Sequence, residues 1–230
     1  MKILIIIPAY NEAGCIETVV DNLIRNYPQY DYVVINDGST DDTRKICARR
    51  GYNFMDLPVN TGLSGAVKSG MRYANYYGYD YVLQLDGDGQ HDPEFLDKMA
   101  QYLMEHELDM VIGSRFIEKK GFQSSSTRRI GIKFFTCLIK MMTGKTITDP
   151  TSGLRMVGRN AMGLFANDYP RDYPEPESVV AILRRKMKVE EIPVVMKERE
   201  GGVSSISLKK SVYYMIKVPL AILIERIRKY

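Results

Sequence analysis

The sequence predicts an α/β protein built on a doubly wound, largely parallel sheet. Three observations carry this: short apolar runs of strand length, intervening stretches with apolar residues at helical spacing, and polar, glycine-containing clusters at the ends of the runs. Ile3 to Ile7 is the first run, unbroken by any polar residue, as expected for a strand covered on both faces. Ile16, Val19, Val20, Leu23, Ile24 and Tyr27 follow at helical spacing. Tyr32 to Ile35 is the second strand, and Asp41 is the N-cap expected for the next helix. A short strand near Tyr52 to Met55 leads through Asn60-Thr61-Gly62-Leu63-Ser64-Gly65 into a helix reaching about Tyr77. Tyr81 to Leu85 is the fourth strand, Pro93 opens a helix in its first turn, and Asp109 to Gly113 is the fifth strand.

The composition suits this reading. A chain of 230 residues, 45% hydrophobic and 26% charged, fits one compact domain of ordinary globular make-up with room for a small appendage. With 18 glycines and 10 prolines and no repeat, collagen-like and low-complexity classes fall away. A net charge of +4 gives no ground for a nucleic-acid partner. Cys15, Cys47 and Cys137 are widely spaced, with no CxxC pair, so neither a disulfide framework nor a zinc site follows and a reducing cytosol is the simplest home. The opening apolar run is short and ends in Pro-Ala-Tyr-Asn-Glu without a cleavage site, so it reads as a buried strand and not a signal peptide. No stretch approaches the roughly 20 apolar residues of a membrane span.

Ligands of such sheets bind outside the carboxyl ends of the strands. Four polar clusters fall there: Pro8-Ala9-Tyr10-Asn11-Glu12, Asn36-Asp37-Gly38-Ser39, Asp86-Gly87-Asp88 and Ser114-Arg115. Any one of them is equally well a turn; four converging strand ends make a crevice. In Asp86-Gly87-Asp88-Gly89-Gln90-His91, two carboxylates one residue apart can converge on one cation, and the glycines permit a tight turn. Oxygen donors suit a hard ion, Mg²⁺ or Mn²⁺, shared with diphosphate oxygens. His91 reads as structural at a helix start and His106 as solvated. Asp37 either accepts the imide N–H of a uracil ring or caps its own turn, and both roles are open. Gly62-Leu63-Ser64-Gly65 is not GxGxxG, and GKS/GKT is absent, so dinucleotide-fold dehydrogenases and P-loop proteins lack their key residues here.

These motifs, together with Gly62-Leu63, Gly113-Ser114-Arg115 and Asp149-Pro150-Thr151-Ser152-Gly153-Leu154-Arg155, occur in the order found in family 2 glycosyltransferases of the GT-A fold. Within that family the chain most resembles polyprenyl-phosphate glycosyltransferases of the dolichyl-phosphate mannose synthase type, over about residues 1–205. The resemblance implies that Pro8, Tyr10, Glu12, Asp37 and Asp86 hold the nucleotide and that Asp86, Asp88 and Gln90 gather Mg²⁺ or Mn²⁺. It places Asp88, Arg115 and Asp149 at the chemistry, with Arg115 facing the phosphates or sugar. Arg155, Arg199, Ser204 and Ser205 are the expected phosphate and acceptor contacts. The late loop departs from relatives that carry a lysine, reading Arg199-Glu200-Gly201-Gly202-Val203-Ser204-Ser205, and relatives with C-terminal membrane spans differ from this chain's ending. Residues 1–116 are then the nucleotide-sugar-binding part, 117–205 the acceptor part, and 206–230 an amphipathic membrane- or partner-facing helix.

Arg128 to Met142 reads as a basic amphipathic helix, with Ile130, Phe134, Leu138 and Met141 on one stripe and Arg129, Lys133 and Lys140 on another face. An ordinary surface helix packed on the sheet has the same pattern. Val212, Ile216, Leu220, Leu223 and Ile227 repeat it near the C-terminus among six further lysines and arginines. The expected reaction is inverting transfer of a hexose or N-acetylhexosamine, UDP-linked, to a polyprenyl phosphate at the inner membrane face. A membrane surface or a small membrane protein is the expected partner, with homo-oligomers open and nucleic acid excluded. A phosphate acceptor is already anionic near neutral pH and hardly needs a base; a glycan hydroxyl needs one, for which Asp149, Glu175 and Glu177 are candidates. A sugar-phosphate nucleotidyltransferase and a non-catalytic adaptor are the remaining alternatives.

Overall fold

The computed structural model describes residues 2–87, 94–121 and 126–196. In chain order the elements are β1 (Ile3–Ala9), α1 (Ile16–Asn26), β2 (Asp31–Asn36), α2 (Thr43–Arg50), β3 (Phe54–Asp56), α3 (Gly62–Tyr76) and β4 (Tyr81–Gln84). They continue as α4 (Phe95–Glu105), β5 (Met110–Ser114), α5 (Ser126–Thr143), β6 (Arg155–Gly158), α6 (Arg159–Asn167), α7 (Pro174–Arg184) and β7 (Val189–Pro193). The seven strands form one sheet in the order β3-β2-β1-β4-β6-β5-β7.

β1 is buried along its whole length because successive side chains point to opposite faces and both faces are covered. Leu4 and Ile6 join the core beneath α3, α5, α6 and α7, with Val67, Phe135, Phe165 and Val180. Ile3, Ile5, Ile7 and Ala9 join the opposite core beneath α1 and α4, with Val20, Leu23, Met99 and Leu103. The result is a three-layer α/β sandwich.

The parallel strands carry their C-terminal ends to one edge. β6 is the exception: it runs antiparallel between β4 and β5, with Arg155 opposite both Gln84 and Ile112. Running the other way, β6 starts at the edge where its neighbours end, and the loop preceding it is drawn into the crevice.

One expectation needs correcting. Asp42, not Asp41, is the N-cap of α2; the Asp41 carboxylate instead accepts the Thr43 N–H at 2.9 Å. On α5 the buried stripe is Ile132, Phe135, Leu138 and Ile139. Of the expected stripe only Leu138 is buried, while Ile130 (66%), Phe134 (44%) and Met141 (72%) are exposed. Four apolar positions per two turns cover only one face of a helix, and α5 carries more than one face can hide. Among the described residues, no helix is long and apolar enough to cross a membrane. Residues 206–230, expected to form a helix, lie outside the described residues.

Candidate active site

The crevice begins where β1 and β2 end. Asn11 takes a left-handed backbone (φ 57°), a conformation asparagine tolerates better than most residues. There its side-chain oxygen accepts the Thr40 N–H at 2.8 Å and the Asp41 N–H at 3.3 Å, and its own N–H donates to Ser39 Oγ at 3.0 Å. Asp41 accepts the Ala13 N–H at 3.0 Å, and Thr43 Oγ1 accepts the Glu12 N–H at 2.9 Å. The Pro8–Glu12 and Asn36–Thr43 segments are thereby zipped into one wall. Pro8 is buried in it, Tyr10 projects at 46% exposure, and Glu12 is half-buried. Burial pushes the Asp41 carboxyl up, but the Thr43 hydroxyl and the Thr43 and Ala13 N–H groups outweigh it and hold it below its ordinary range.

Asp37 is buried at the base of this wall. Its Oδ1 accepts the Thr61 N–H at 2.7 Å and the Thr61 hydroxyl at 2.6 Å, which ties it to the N-cap of α3 and not to its own turn. Gly38 follows with φ 63°, and a Cβ there would stand 2.6 Å from the Asn60 nitrogen, so only glycine lets the two loops touch.

Asp86 emerges from the end of β4 in the middle of the crevice and is half-buried. Its carboxylate lies against Gly153: a Cβ at that position would be 2.5 Å from Asp86 Oδ2. Half-buried Glu175, at the start of α7, faces the same region; burial pushes its carboxyl up, the Arg155 charge opposes this, and the Asp86 charge adds to it. An oxygen-only site at a glycine-bared floor fits a hard divalent ion. Asp88, Gln90 and His91 lie outside the described residues, as do Arg199, Ser204 and Ser205. Among the described residues no group of three metal-ligating side chains forms.

The third wall is the loop before β6. Arg115 and Asp149 are both buried, and they form a two-pronged pair with Nε–Oδ2 and Nη2–Oδ1 distances of 2.6 Å. Arg115 also donates to Thr151 Oγ1 at 3.0 Å. Glu191, from β7, accepts the N–H groups of Thr148 (2.6 Å) and Asp149 (2.7 Å), fixing the loop from behind. Arg155 donates to the carbonyls of Ser152, Pro150 and Glu175 and to Ser178 Oγ, all at 2.6–2.7 Å. Its guanidinium thus ties the loop to the start of α7, and it is a positioning residue here instead of the phosphate contact expected. Asp149, with no exposed surface and both oxygens bound by Arg115, likewise holds the loop. Glu177 accepts the Tyr173 N–H at 2.8 Å as a helix-start cap. Of the three candidate bases, Glu175 alone has a carboxylate bonded to nothing but its own backbone N–H among the described residues. Two buried oxygens, Asn36 Oδ1 and Ser152 Oγ, have no hydrogen-bond partner among the described residues. Each is a costly omission in a fold of this kind, and both lie on crevice motifs.

The sequence reading missed Asn11, Thr61, Gly153 and Glu191. Gly153 carried a signal in its Thr-Ser-Gly setting. Glu191 carried none, since its importance comes from the antiparallel insertion of β6 beside β5.

In a mostly parallel α/β sheet, a polar crevice built by the strand-end loops is where ligands, nucleotides among them, bind. Residues 4–164 match the description "Glycosyl transferase family 2". The chain is 28% identical over 84% of its length, and 84% of the relative's, to a UDP-N-acetylglucosamine–dolichyl-phosphate N-acetylglucosaminyltransferase of Methanococcus voltae. It is 29% identical over 90% of its length, and 88% of the relative's, to an undecaprenyl-phosphate mannosyltransferase of Micrococcus luteus. A solved structure of glucosyl-3-phosphoglycerate synthase from Mycobacterium tuberculosis, with Mn²⁺, UDP-glucose and phosphoglyceric acid, shares the fold with a TM-score of 0.76 at 18% identity, covering 100% of this chain and 81% of that one. The chain belongs to glycosyl transferase family 2 and is a glycosyltransferase of the GT-A fold.

Proposed function

We propose that the protein moves a hexose or N-acetylhexosamine from a nucleotide-sugar, UDP-linked, onto a polyprenyl phosphate, with inversion at the anomeric carbon. The observation that carries this is the state of the candidate bases: Asp149 and Glu177 are spent on internal bonds. An acceptor that brings its own negative charge suits such a site, because a phosphate monoester is largely ionised near neutral pH. The named relatives that act on dolichyl and undecaprenyl phosphate support the same acceptor.

In this reading Tyr10 and Asp37 border the nucleoside, and Asp86 with Asp88 and Gln90 hold Mg²⁺ or Mn²⁺. The ion supplies positive charge where the leaving diphosphate gains negative charge. The acceptor oxygen attacks the anomeric carbon from the face opposite the diphosphate, the bond to the nucleotide breaks, and UDP leaves. Arg155, Arg115 and Asp149 keep the 149–155 loop rigid, so that the bound partners stay aligned.

The exposed stripe of α5 supports work at an anionic membrane. Ile130, Phe134 and Met141 stand beside exposed Arg129, Lys133 and Lys140. Basic residues near such a surface contribute about 1 kcal/mol each, which suits reversible, peripheral binding. A second reading has a specific observation in its favour: half-buried Glu175, its carboxyl pushed up by burial, is poised as a general base for a sugar hydroxyl.

The deciding experiment offers UDP- and GDP-sugars with Mn²⁺ to the full chain, once with a polyprenyl phosphate and once with soluble glycans, and weighs the products by mass spectrometry. A sugar–phospholipid product is expected from the first set. Product from glycans alone sinks the lipid reading and leaves Glu175 as base.

A further inference from the structure

A second groove lies along α3, beside the edge strand β3. α3 starts at the crevice, where Thr61 meets Asp37, and its 15 residues carry the chain about 22 Å away. Beyond its end, the Asp80 N–H reaches the Lys2 carbonyl and the Tyr79 hydroxyl donates to Asp31, at the starts of β1 and β2. The groove sits along this far half of α3, between β3 and the end of α6, with a volume of about 660 Å³. The groove is shallow and largely open to solvent.

Its lining is unusual for plain surface. Tyr73, Tyr76 and Tyr77 cluster there, with ring centroids 4.5 Å and 5.1 Å apart in successive pairs, and Tyr76 is 82% exposed. Ser69, Arg72, Asn75 and Asn167 complete the polar part, and among the described residues the lining contains no carboxylate. Arg72 forms no ion pair, and the Asn75 amide and the three tyrosine hydroxyls form no hydrogen bonds, among the described residues. Asn167 Nδ2 is used by the Gly163 carbonyl at 2.9 Å, and its carbonyl anchors the Lys68 ammonium at 2.8 Å, so this part of the wall is fixed.

We infer that this groove binds a saccharide bearing an anionic group, such as a uronate. The C–H face of a pyranose packs on tyrosine rings, its hydroxyls exchange hydrogen bonds with carboxamides and phenols, and the acid pairs with the one unopposed cation, Arg72. The inference stands on this lining alone and holds whichever acceptor the crevice uses.

Saturation-transfer NMR on the full chain, with UDP and Mg²⁺ present, tests it using a glucuronate-terminated disaccharide and its neutral glucose-terminated counterpart. Transfer to the acidic sugar is expected, with affinity about tenfold above that of the neutral one, the usual scale of a charged hydrogen bond. Arg72→Gln should erase that difference, and Tyr76→Ala should weaken both sugars. Both side chains are exposed, so the variants should melt and turn over like the wild type. Binding unchanged in both variants, or no binding of either sugar, overturns the inference. So does self-association in sedimentation that Tyr76→Ala abolishes, since the groove is then a contact between copies.

Discussion

Gly153 shows how a single residue sets the crevice floor. It does not adopt a left-handed backbone, so alanine there adds only a Cβ, and that Cβ would push on the end of the Asp86 side chain. Gly153→Ala is therefore expected to fold normally while displacing a carboxylate by a fraction of an ångström to an ångström. Misplacements of that size cost up to about 100-fold in rate. Wild-type turnover in Gly153→Ala would mean that Asp86 is not at the chemistry. Asp41 acts at the same scale but on stability. Its carboxyl is held below the ordinary range, so its contribution is present above the unfolded-state pKa and is lost as pH falls through the folded one. Asp41→Ala should thus cost about 1–3 kcal/mol near neutral pH, with the gap to wild type narrowing in urea titrations as pH falls below the ordinary aspartate range. A gap that stays constant with pH would assign the loss to packing.

At the scale of elements, α5 carries two apolar stripes with different fates. Replacing Ile130, Phe134 and Met141 by serine should leave the melting temperature nearly unchanged yet abolish sedimentation with anionic vesicles. Phe135→Ala, from the buried stripe, should cost about 3–5 kcal/mol. Vesicle binding that survives the triple change would remove α5 from the membrane reading. The sequence left open whether the Ile130 stripe met the sheet or a membrane, because apolar residues surround much of α5 and periodicity cannot tell which side the sheet will cover. The strands were easier. β1, β2, β4 and β5 are central, and their continuous apolar runs announce burial on both faces. β6 gave no such sign: it is four residues long and begins with Arg155, buried only because three carbonyls and a hydroxyl surround it. Its reversed direction depends on pairing partners more than 40 residues away, which no local pattern encodes.

For the whole molecule, the crevice joins parts that are distant in sequence. The zipped β1 and β2 loops, Asp86 and the Arg155-clamped loop touch a common space, and each motif was legible as a motif. What was not legible was their division of labour, since whether Arg115 meets a phosphate or Asp149 is decided by the loop that β6 and Glu191 hold in place. A ligand that spans these walls binds only the folded chain and must stabilise it. UDP with Mn²⁺ at about 100 times its dissociation constant should add about 2.7 kcal/mol, and at about 2–4 °C per kcal/mol for a chain of this size the melting point should rise by roughly 5–10 °C. Adding a chelator should cancel most of the rise, because the proposed ion joins Asp86 to the diphosphate. Asp37→Ala should reduce the remainder if that carboxylate contacts the base as well as capping α3. A UDP-dependent rise that is indifferent to chelation would show that nucleotide binding proceeds without the ion, and would confine Asp86 to shaping the crevice against Gly153.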